Sequence, residues 1–381
     1  MPAAQPQEQK AQSSSAGQPY IPHSRPALGD AEAQALQHVV ASRMLAQGPE
    51  VERLESALAD LLRPASEEEQ RSRVHPGVAV SSGTAALYLA LRALGVGEGE
   101  EVLLPAYVCA SVLQAVRYVR AIPRFVDCDP STFNLDPDDA LAKLGKHTKA
   151  IIVAHLFGLP ADLDPFLQMG PAVIEDCAQT LGADYKGGIV GSFGQATVCS
   201  FYATKLLAAG EGGMVLSPSG RLLDEVRALR DCEQAPQREW AFNFKMTDLQ
   251  AALGRVQLGR LPELLDRRRQ LAERYRRRLA GLALELPGEP PDRDHQYYRF
   301  VISIGDHRLA PLLDRCERMG LACRRPVGSL PAPVQEKLEE LPGCRQAFDH
   351  ACSIPLYPAL SEDEVELVLD RFSAAIGGDD A

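Results

Sequence analysis

Three short segments of the sequence carry residue types that could do chemistry together. The first, "VSSGTAAL" (80–87), joins a strand-like run to a helix through a Ser-Gly-Thr turn. The free N–H groups of such a turn and the positive end of the helix favour an anion such as phosphate. Gly83 would let the backbone approach the anion, and Thr84 would add a hydroxyl. Taken alone, the motif favours the simpler alternative that Ser82 or Thr84 caps the helix.

The second segment, "AVIEDCAQ" (172–179), places an aspartate at the carboxyl end of an apolar, strand-like run. A carboxylate in that position is costly to bury without a partner. A cationic ring nitrogen would be such a partner, and Asp176 would keep that nitrogen protonated. Gln179 lies one helical turn further on and could hydrogen-bond a ring substituent. The equal alternative is that Asp176 caps the next helix.

The third segment, "SFYATKLLAAGEGG" (200–213), holds one lysine, Lys205, between a strand-like run and a glycine-rich turn. Most loop lysines are solvated surface charges, but a neutral lysine amine can attack a carbonyl. The three segments together match one cofactor, pyridoxal 5′-phosphate. Its phosphate would lie in the first segment, its pyridinium at Asp176, and its aldehyde on Lys205 as a Schiff base.

The elements that would position these segments are alternating strands and helices. Short apolar runs alternate with amphipathic stretches from Gly77 onward, which predicts an α/β fold with a mostly parallel sheet covered by helices. In such sheets ligands bind beyond the carboxyl ends of the strands, where the three segments lie. The predicted strands are "GVAV", "EVLLP", "PRFVDCD", "KAIIVAH", "AVIED", "ATVCSFY" and "GGMVLS".

The C-terminal part of the sequence has a different texture. A long helical region from 246 to 279 is followed by a smaller α+β unit with the strand "YYRFVISI" and the closing helix "SEDEVELVLDRFSAAI". The sequence therefore predicts a disordered tail at 1–20, a large domain at 21–283 and a small domain at 284–381.

Composition limits the partners and the compartment. The net charge of −11 argues against nucleic acid or an anionic membrane as the main partner. The basic stretch 267–279, with its glutamate and helical spacing, favours a solvated helix face over an anion site. Nine scattered cysteines without a CxxC pair predict free thiols and no metal site. With no signal-peptide or membrane-length apolar run, a cytoplasmic protein is expected.

The motifs occur in an order that resembles the DegT/DnrJ/EryC1/StrS family of fold-type I, pyridoxal phosphate-dependent sugar aminotransferases. The resemblance runs from about Ile21 to Ile376. It is carried by "SSGTAAL", "AHLFGLPADLDP", "EDCAQTLGADYKGGIVGSFG", "SFYATKLLAAGEGGMV", "FNFKMTDLQAALGRVQL" and "IPLYPALSEDEV".

The resemblance implies a role for each residue named above. Lys205 would be the catalytic residue that binds the cofactor and moves protons. Asp176 would pair with the pyridine nitrogen, and Gln179 would contact the ring hydroxyl. The residues implied to bind the phosphate are Gly83, Thr84 and Ser200.

Further residues follow from the same resemblance. In the family an asparagine of the neighbouring subunit reaches the phosphate; here it falls on Asn243, which implies a homodimer with shared active sites. Lys245 lies where a basic residue is usual near the substrate. The aromatic residue that commonly stacks on the cofactor falls on Cys109. Either this thiol packs against the ring, or Tyr107 takes over the stacking.

The implied reaction moves an amino group, with L-glutamate as the expected donor, to a nucleotide-diphosphate-linked 3- or 4-keto-sugar for surface polysaccharide or secondary-metabolite biosynthesis. Gln179, where many members have histidine, favours amination at the sugar 3-position or of a cyclitol. Lys205 argues against the histidine-bearing sugar dehydratases of the family. The alternatives are a cyclitol or aminoshikimate-type aminotransferase, and a non-catalytic, cofactor-binding regulatory protein.

Overall fold

The computed structural model describes residues 19–62, 75–305 and 308–377, so the predicted tail at 1–20 lies almost wholly outside the described residues. The strands of the central sheet are β1 (Val78–Val80), β2 (Glu101–Pro105), β3 (Ile122–Val126), β4 (Thr148–Ala154), β5 (Ala172–Asp176), β8 (Ala196–Ser200) and β9 (Gly213–Leu216). Between β5 and β8 lies a short hairpin of β6 (Asp184–Tyr185) and β7 (Gly188–Ile189).

The central sheet has the order β1-β9-β8-β5-β4-β2-β3. β9 runs antiparallel to both of its neighbours, and the strands from β8 to β3 are mutually parallel. Most strand residues are buried, because helices cover both faces of the sheet and leave no polar side for alternating residues. The predicted mostly parallel α/β fold is confirmed.

Two hydrophobic cores lie on opposite faces of the sheet. The helices of this part are α1 (Asp30–Ser42), α2 (Pro49–Leu61), α3 (Gly83–Ala93), α4 (Ala110–Tyr118), α5 (Pro137–Lys143), α6 (Asp164–Gln168), α7 (Gly220–Arg230), α8 (Asp248–Gly259) and α9 (Leu261–Leu279). One core contains Leu89 of α3 and Val226 of α7. The other contains Leu54 of α2 and Ala251 of α8. No helix in the described ranges is long and apolar enough to cross a bilayer.

A smaller α+β unit follows, as the sequence predicts. Its antiparallel sheet consists of β10 (Leu284–Glu285), β11 (Phe300–Ile304) and β12 (Ala351–Ile354), and its helices are α10 (Leu309–Arg318), α11 (Ala332–Glu336), α12 (Pro342–His350) and α13 (Glu362–Gly377). Its core also includes Ile21 and, from α9, Leu271 and Tyr275. Packing is therefore continuous across position 283, and the exact domain boundary stays a prediction.

The basic stretch 267–279 lies on α9 and is largely matched by acids. Arg267 and Arg274 both form ion pairs with Glu362 of α13. Arg278 pairs with Asp370 further along the same helix. Most of this stretch therefore forms a half-exposed surface that joins α9 to α13, and its charge is neutralised internally.

Candidate active site

The carboxyl edge of the parallel strands borders a cavity of about 250 Å³. β5 ends there at Asp176, β8 ends at Ser200, and the chain after β1 turns into α3. The predicted site residues that line the cavity are Gly83, Thr84, Cys109, Asp176, Gln179, Ser200 and Lys205. The three chemically suggestive segments thus meet at one place, as the rule for open α/β sheets predicts.

The turn before α3 is both a helix cap and an N–H donor surface. Ser82 Oγ accepts the N–H of Ala85 at 3.1 Å, and its carbonyl accepts that of Ala86 at 3.0 Å. The capping alternative is therefore confirmed. The first four N–H groups of a helix have no partner within it, so among described residues those of Gly83 and Thr84 remain available to a ligand.

Two glycines let this turn lie against the ends of β8 and β9. A Cβ added at Gly83 would lie 2.8 Å from Ser200 Cβ. A Cβ added at Gly213 would lie 2.5 Å from the carbonyl oxygen of Ser82 and 2.7 Å from the nitrogen of Gly83. Any side chain at either position would displace the turn, which explains the glycine at the end of "GEGG".

Asp176 is a carboxylate with few partners of its own. Its Oδ1 accepts one N–H, from Ala178, at 3.0 Å, and it forms no ion pair within the described part of the chain. Burial raises the pKa of the Asp176 carboxyl, opposed by Lys205, the Ala178 N–H and His155. A cationic group placed beside Asp176 would therefore be strongly stabilised.

His155 and Glu175 stand beside Asp176 and were missed by sequence reasoning. His155 Nδ1 accepts the N–H of Ala161 at 3.0 Å, so the proton lies on Nε2, 3.4 Å from Glu175 Oε2.

With Cys177, His155 and Glu175 form a buried group whose candidate metal-ligand atoms lie within 4.8 Å of one another. Burial keeps the pKa of the Cys177 thiol well above its usual range. The Glu175 carboxylate already accepts N–H bonds from Gly191, Phe193 and Gly194.

Gln179 presents a defined group to the cavity. Its Oε1 accepts the N–H of Phe157 at 2.7 Å. The side-chain NH₂ is therefore the part of the amide that remains to donate to a ligand.

The structure distinguishes Cys109 from Tyr107. Cys109 is exposed, lines the cavity, and its Sγ lies 2.9 Å from Ser111 Oγ. Tyr107 is fully buried, packs beside Phe133, and its hydroxyl donates to the carbonyl of Ala347 at 3.4 Å. The interpretation in which Tyr107 stacks on a cofactor is therefore corrected: core packing directs its ring away from the cavity.

Lys205 is half-buried in a loop closed by its own backbone. The Lys205 N–H donates to the Tyr202 carbonyl at 2.8 Å, and the Ala203 N–H donates to that of Gly210 at 2.9 Å. Its Nζ lies 5.0 Å from the ring centroid of Tyr298. Lys205 therefore lies in a pocket formed by the fold and is not a fully solvated loop lysine. Tyr202 and Glu211 also line the cavity; only their closeness to Lys205 in sequence could have indicated them.

Asn243 and Lys245 lie outside this cavity. Lys245 Nζ lies 2.8 Å from Asp231 Oδ1, and Asn243 is exposed. Their segment is attached beside the turn, since the Ser81 N–H donates to the Phe244 carbonyl at 2.8 Å. It borders a groove of about 950 Å³ that shares Ser82 and Thr84 with the cavity. The aromatic residues of this groove are Tyr88, Tyr118, Trp240, Phe242 and Phe244.

Known proteins are similar to this chain over nearly its whole length. Residues 26–373 match the DegT/DnrJ/EryC1/StrS aminotransferase family. The spore coat polysaccharide biosynthesis protein SpsC of Bacillus subtilis (strain 168) is 30% identical, over 95% of this chain and 98% of its own. GDP-perosamine synthase of Escherichia coli O157:H7 is 29% identical, over 93% and 98%. Among solved structures, Spr1654 from Streptococcus pneumoniae, in its PLP-form, is 26% identical over 94% and 99% of the two chains, with a TM-score of 0.86.

The match covers every segment that forms the cavity, and the solved relative has the same fold. The chain therefore belongs to the DegT/DnrJ/EryC1/StrS aminotransferase family, and it is a pyridoxal 5′-phosphate-dependent aminotransferase.

Proposed function

We propose that this enzyme transfers an amino group from L-glutamate to a nucleotide-diphosphate-linked 3- or 4-keto-sugar for polysaccharide or secondary-metabolite biosynthesis. The observation that carries the proposal is the meeting of Lys205, Asp176 and the glycine turn at one cavity. The names of the relatives support the acceptor class, since one makes GDP-perosamine and another serves spore coat polysaccharide synthesis. Nucleotide-linked sugars and nine free thiols together support a cytoplasmic location.

The residues of the cavity fit pyridoxal phosphate group by group. The free N–H groups of Gly83 and Thr84, with the Ser200 hydroxyl, suit a phosphate. Asp176 suits the pyridine nitrogen, because its buried carboxylate gains most from a cation. The Gln179 NH₂ suits the ring hydroxyl, and Cys109 borders the space left for the ring. When bound, the cofactor withdraws electrons from the carbon that exchanges its proton.

In this proposal Lys205 is the protein residue that takes part directly in the reaction. It binds the cofactor aldehyde between reactions. When a substrate amine displaces it, its free Nζ would take the proton from the donor's α-carbon and deliver it to the cofactor carbon that had carried the aldehyde. The same proton transfers would run in reverse with the keto-sugar, so the donor and the acceptor would use the same lysine in turn. Asp176 would keep the ring nitrogen charged, and the phosphate contacts would keep the ring in place.

The close fit of the turn gives a direct test of phosphate binding. In Gly83→Ala the new Cβ would overlap Ser200, and relief of such overpacking costs about 1–3 kcal/mol. We expect the dissociation constant for pyridoxal phosphate, measured by fluorescence titration, to rise about tenfold or more. Gly97→Ala is the matched control, because its Cβ meets nothing within 4 Å. Equal affinity of both variants for pyridoxal phosphate would show that the turn is not part of the phosphate site.

Two assays test the proposed reaction itself. With glutamate alone, the loaded enzyme should release one 2-oxoglutarate per active site, which a non-catalytic regulatory protein would not do. Mass spectrometry with UDP-, dTDP- and GDP-linked keto-sugars should then detect an aminated product. Amination of a keto-cyclitol, with all the nucleotide sugars left unchanged, would favour the cyclitol alternative.

We further propose a homodimer in which Asn243 reaches the phosphate of the neighbouring subunit and Lys245 lies near the sugar substrate. Asn243 is exposed and lies outside the cavity of its own subunit, although its segment is hydrogen-bonded to the turn before α3. Trp240 and Tyr118 are exposed beside it, and exposed aromatic surface of this kind is typical of protein interfaces. A second copy would cover this surface and complete the site.

Subunit mixing tests the shared site. Lys205→Ala and Asn243→Asp should each be inactive alone, the second because a carboxylate would repel the phosphate. In a mixed dimer, the subunit that keeps Lys205 receives Asn243 from its partner. An equal mixture should therefore recover about a quarter of wild-type activity. If Asn243 acted within its own subunit, mixing would recover none.

A further inference from the structure

Lys205 lines a second, smaller space in addition to the cofactor cavity. This pocket of about 20 Å³ is also lined by Thr204, Tyr298 and Arg299. It has room for about one water molecule and no larger ligand. The groups around it therefore lie next to Lys205 with no space for a bound molecule between them. Tyr298 is the residue whose ring faces Lys205, with Nζ 5.0 Å from the ring centroid.

The position of Tyr298 is fixed by the same turn that holds Gln179. The backbone N–H groups of Gln296 and Arg299 donate to the carbonyls of Gly158 and Phe157 at 2.7 and 3.2 Å. The N–H of Phe157 in turn donates to the side chain of Gln179. Hydrogen bonds therefore connect the segment that carries Tyr298 to a residue that lines the cofactor cavity.

Two arginines surround the same phenol. Arg299 Cζ lies 4.8 Å from the Tyr298 ring centroid, and its Nη2 donates to the Tyr298 hydroxyl at 3.4 Å. Arg268 is buried, and among the residues that the structure describes it donates only to the backbone carbonyls of Tyr297, Tyr298 and Leu356. Within the described ranges neither arginine forms an ion pair with a carboxylate. Arg268 is buried and Arg299 is half-buried. Positive charge without a counter-charge is costly in such a place, so an anion at Tyr298 would be favoured.

His23 supplies no counter-charge to Arg299. Its Nδ1 lies 3.2 Å from Arg299 Nη1, and its Nε2 lies 2.9 Å from Ser353 Oγ. Burial, Arg299 and Arg324 hold the pKa of His23 well below its usual range. The ring is therefore neutral, and it accepts a hydrogen bond from Arg299.

The other charged groups near the pocket have their own partners or face the other side of Lys205. Arg25, which lines the pocket, is paired with Glu364 at 2.7 Å. Asp176 interacts with Lys205 from the cofactor cavity. Burial by itself would raise the pKa of Tyr298, but Arg299, Lys205, the Thr204 hydroxyl and Arg268 lower it to about 7.

We propose that Tyr298 is a positioning residue for Lys205, whose phenolic oxygen carries the negative charge that balances the lysine ammonium against Arg268 and Arg299. As a phenolate Tyr298 attracts the lysine ammonium, and as a neutral phenol it does not. The Lys205 charge in turn lowers the pKa of the Tyr298 phenol. The proposal rests on the proposed role of Lys205, because it matters only if the lysine must hold and release a proton.

The test uses the full-length apoprotein, so that its result does not depend on catalysis. Ultraviolet difference titration should show one tyrosine ionising at about pH 7, and Tyr298→Phe should lose that transition. Lys205→Met should shift it upward by about one pH unit, since one nearby positive charge is removed.

Tyr275→Phe is the matched control. Tyr275 is a fully buried tyrosine of the small unit, and its hydroxyl donates to the Pro355 carbonyl at 2.8 Å. Its loss should leave the transition at about pH 7. A transition that persists in Tyr298→Phe, or that Lys205→Met leaves unshifted, would overturn the proposal. If both variants behave as expected while glutamate releases no 2-oxoglutarate from the wild-type enzyme, the charge balance between Tyr298 and Lys205 stands and the proposed reaction is wrong.

Discussion

Lys205→Ala should lose both turnover and covalently held cofactor. The variant keeps the glycine turn and Asp176, so it should still bind pyridoxal phosphate reversibly. It lacks the amine that binds the aldehyde and moves the proton. Positioned proton transfer alone contributes about 10²–10⁴-fold, so turnover should fall by about 10³-fold or more. Borohydride reduction followed by intact mass measurement should find the cofactor attached to wild type and absent from the variant.

Lys149→Ala is a suitable control for this experiment, because Lys149 is a surface residue whose Nζ lies 3.6 Å from Glu100 Oε1. It should keep both the attached cofactor and normal turnover. A cofactor still attached in Lys205→Ala would locate the covalent bond on another lysine, and peptide mapping would then examine Lys245 first.

Asp176→Asn should change the stability of the apoprotein and of the loaded enzyme in opposite directions. Burial raises the pKa of Asp176 in the folded apoprotein above its unfolded value. The folded state therefore binds more protons than the unfolded state, and this group lowers stability as pH rises through those two values. At neutral pH the neutral amide removes that cost, so the apoprotein should melt at the same or a higher temperature.

With the cofactor bound, Asp176 would gain a cationic partner, and the effect of the substitution on stability would change sign. Removing one member of a buried ion pair costs about 3–5 kcal/mol. We expect the loaded variant to melt at a lower temperature and turnover to fall by about 10²–10³-fold. Calorimetry of both forms measures the two melting shifts, with Asp138→Asn on the exposed surface of α5 as control. Melting shifts of the same sign in both forms would contradict a charge partnership between Asp176 and the cofactor.

Much of the candidate site could be predicted because it is encoded in local patterns. Asp176 and Ser200 each end an apolar strand, and Gly83 begins a helix directly after another. Parallel strands end at a common edge, so residues that follow them converge without further information. The order of the segments then indicated the family, and the family match over residues 26–373 confirms that resemblance.

Other features could not be found in this way. His155 Nε2 lies 3.4 Å from the carboxylate of Glu175 on the neighbouring strand, and nothing local indicates that the two side chains are fully buried beside Asp176. The sequence also offered Tyr107 and Cys109 as equal candidates two residues apart. The path of the chain into α4 decided between them, since it exposes Cys109 at the cavity and packs Tyr107 into the core.

By itself the sequence determined the α/β fold, the family and the three segments that meet at the cavity, because periodicity, strand ends and glycine turns are short-range signals. Only the tertiary structure decided which groups surround Lys205. Tyr298, Arg299 and Arg268 come from the segment before β11 and from α9, and they reach the lysine because the small unit packs against the large one. Their combined charge depends on burial and on distances across that packing, and no spacing along the chain encodes either quantity.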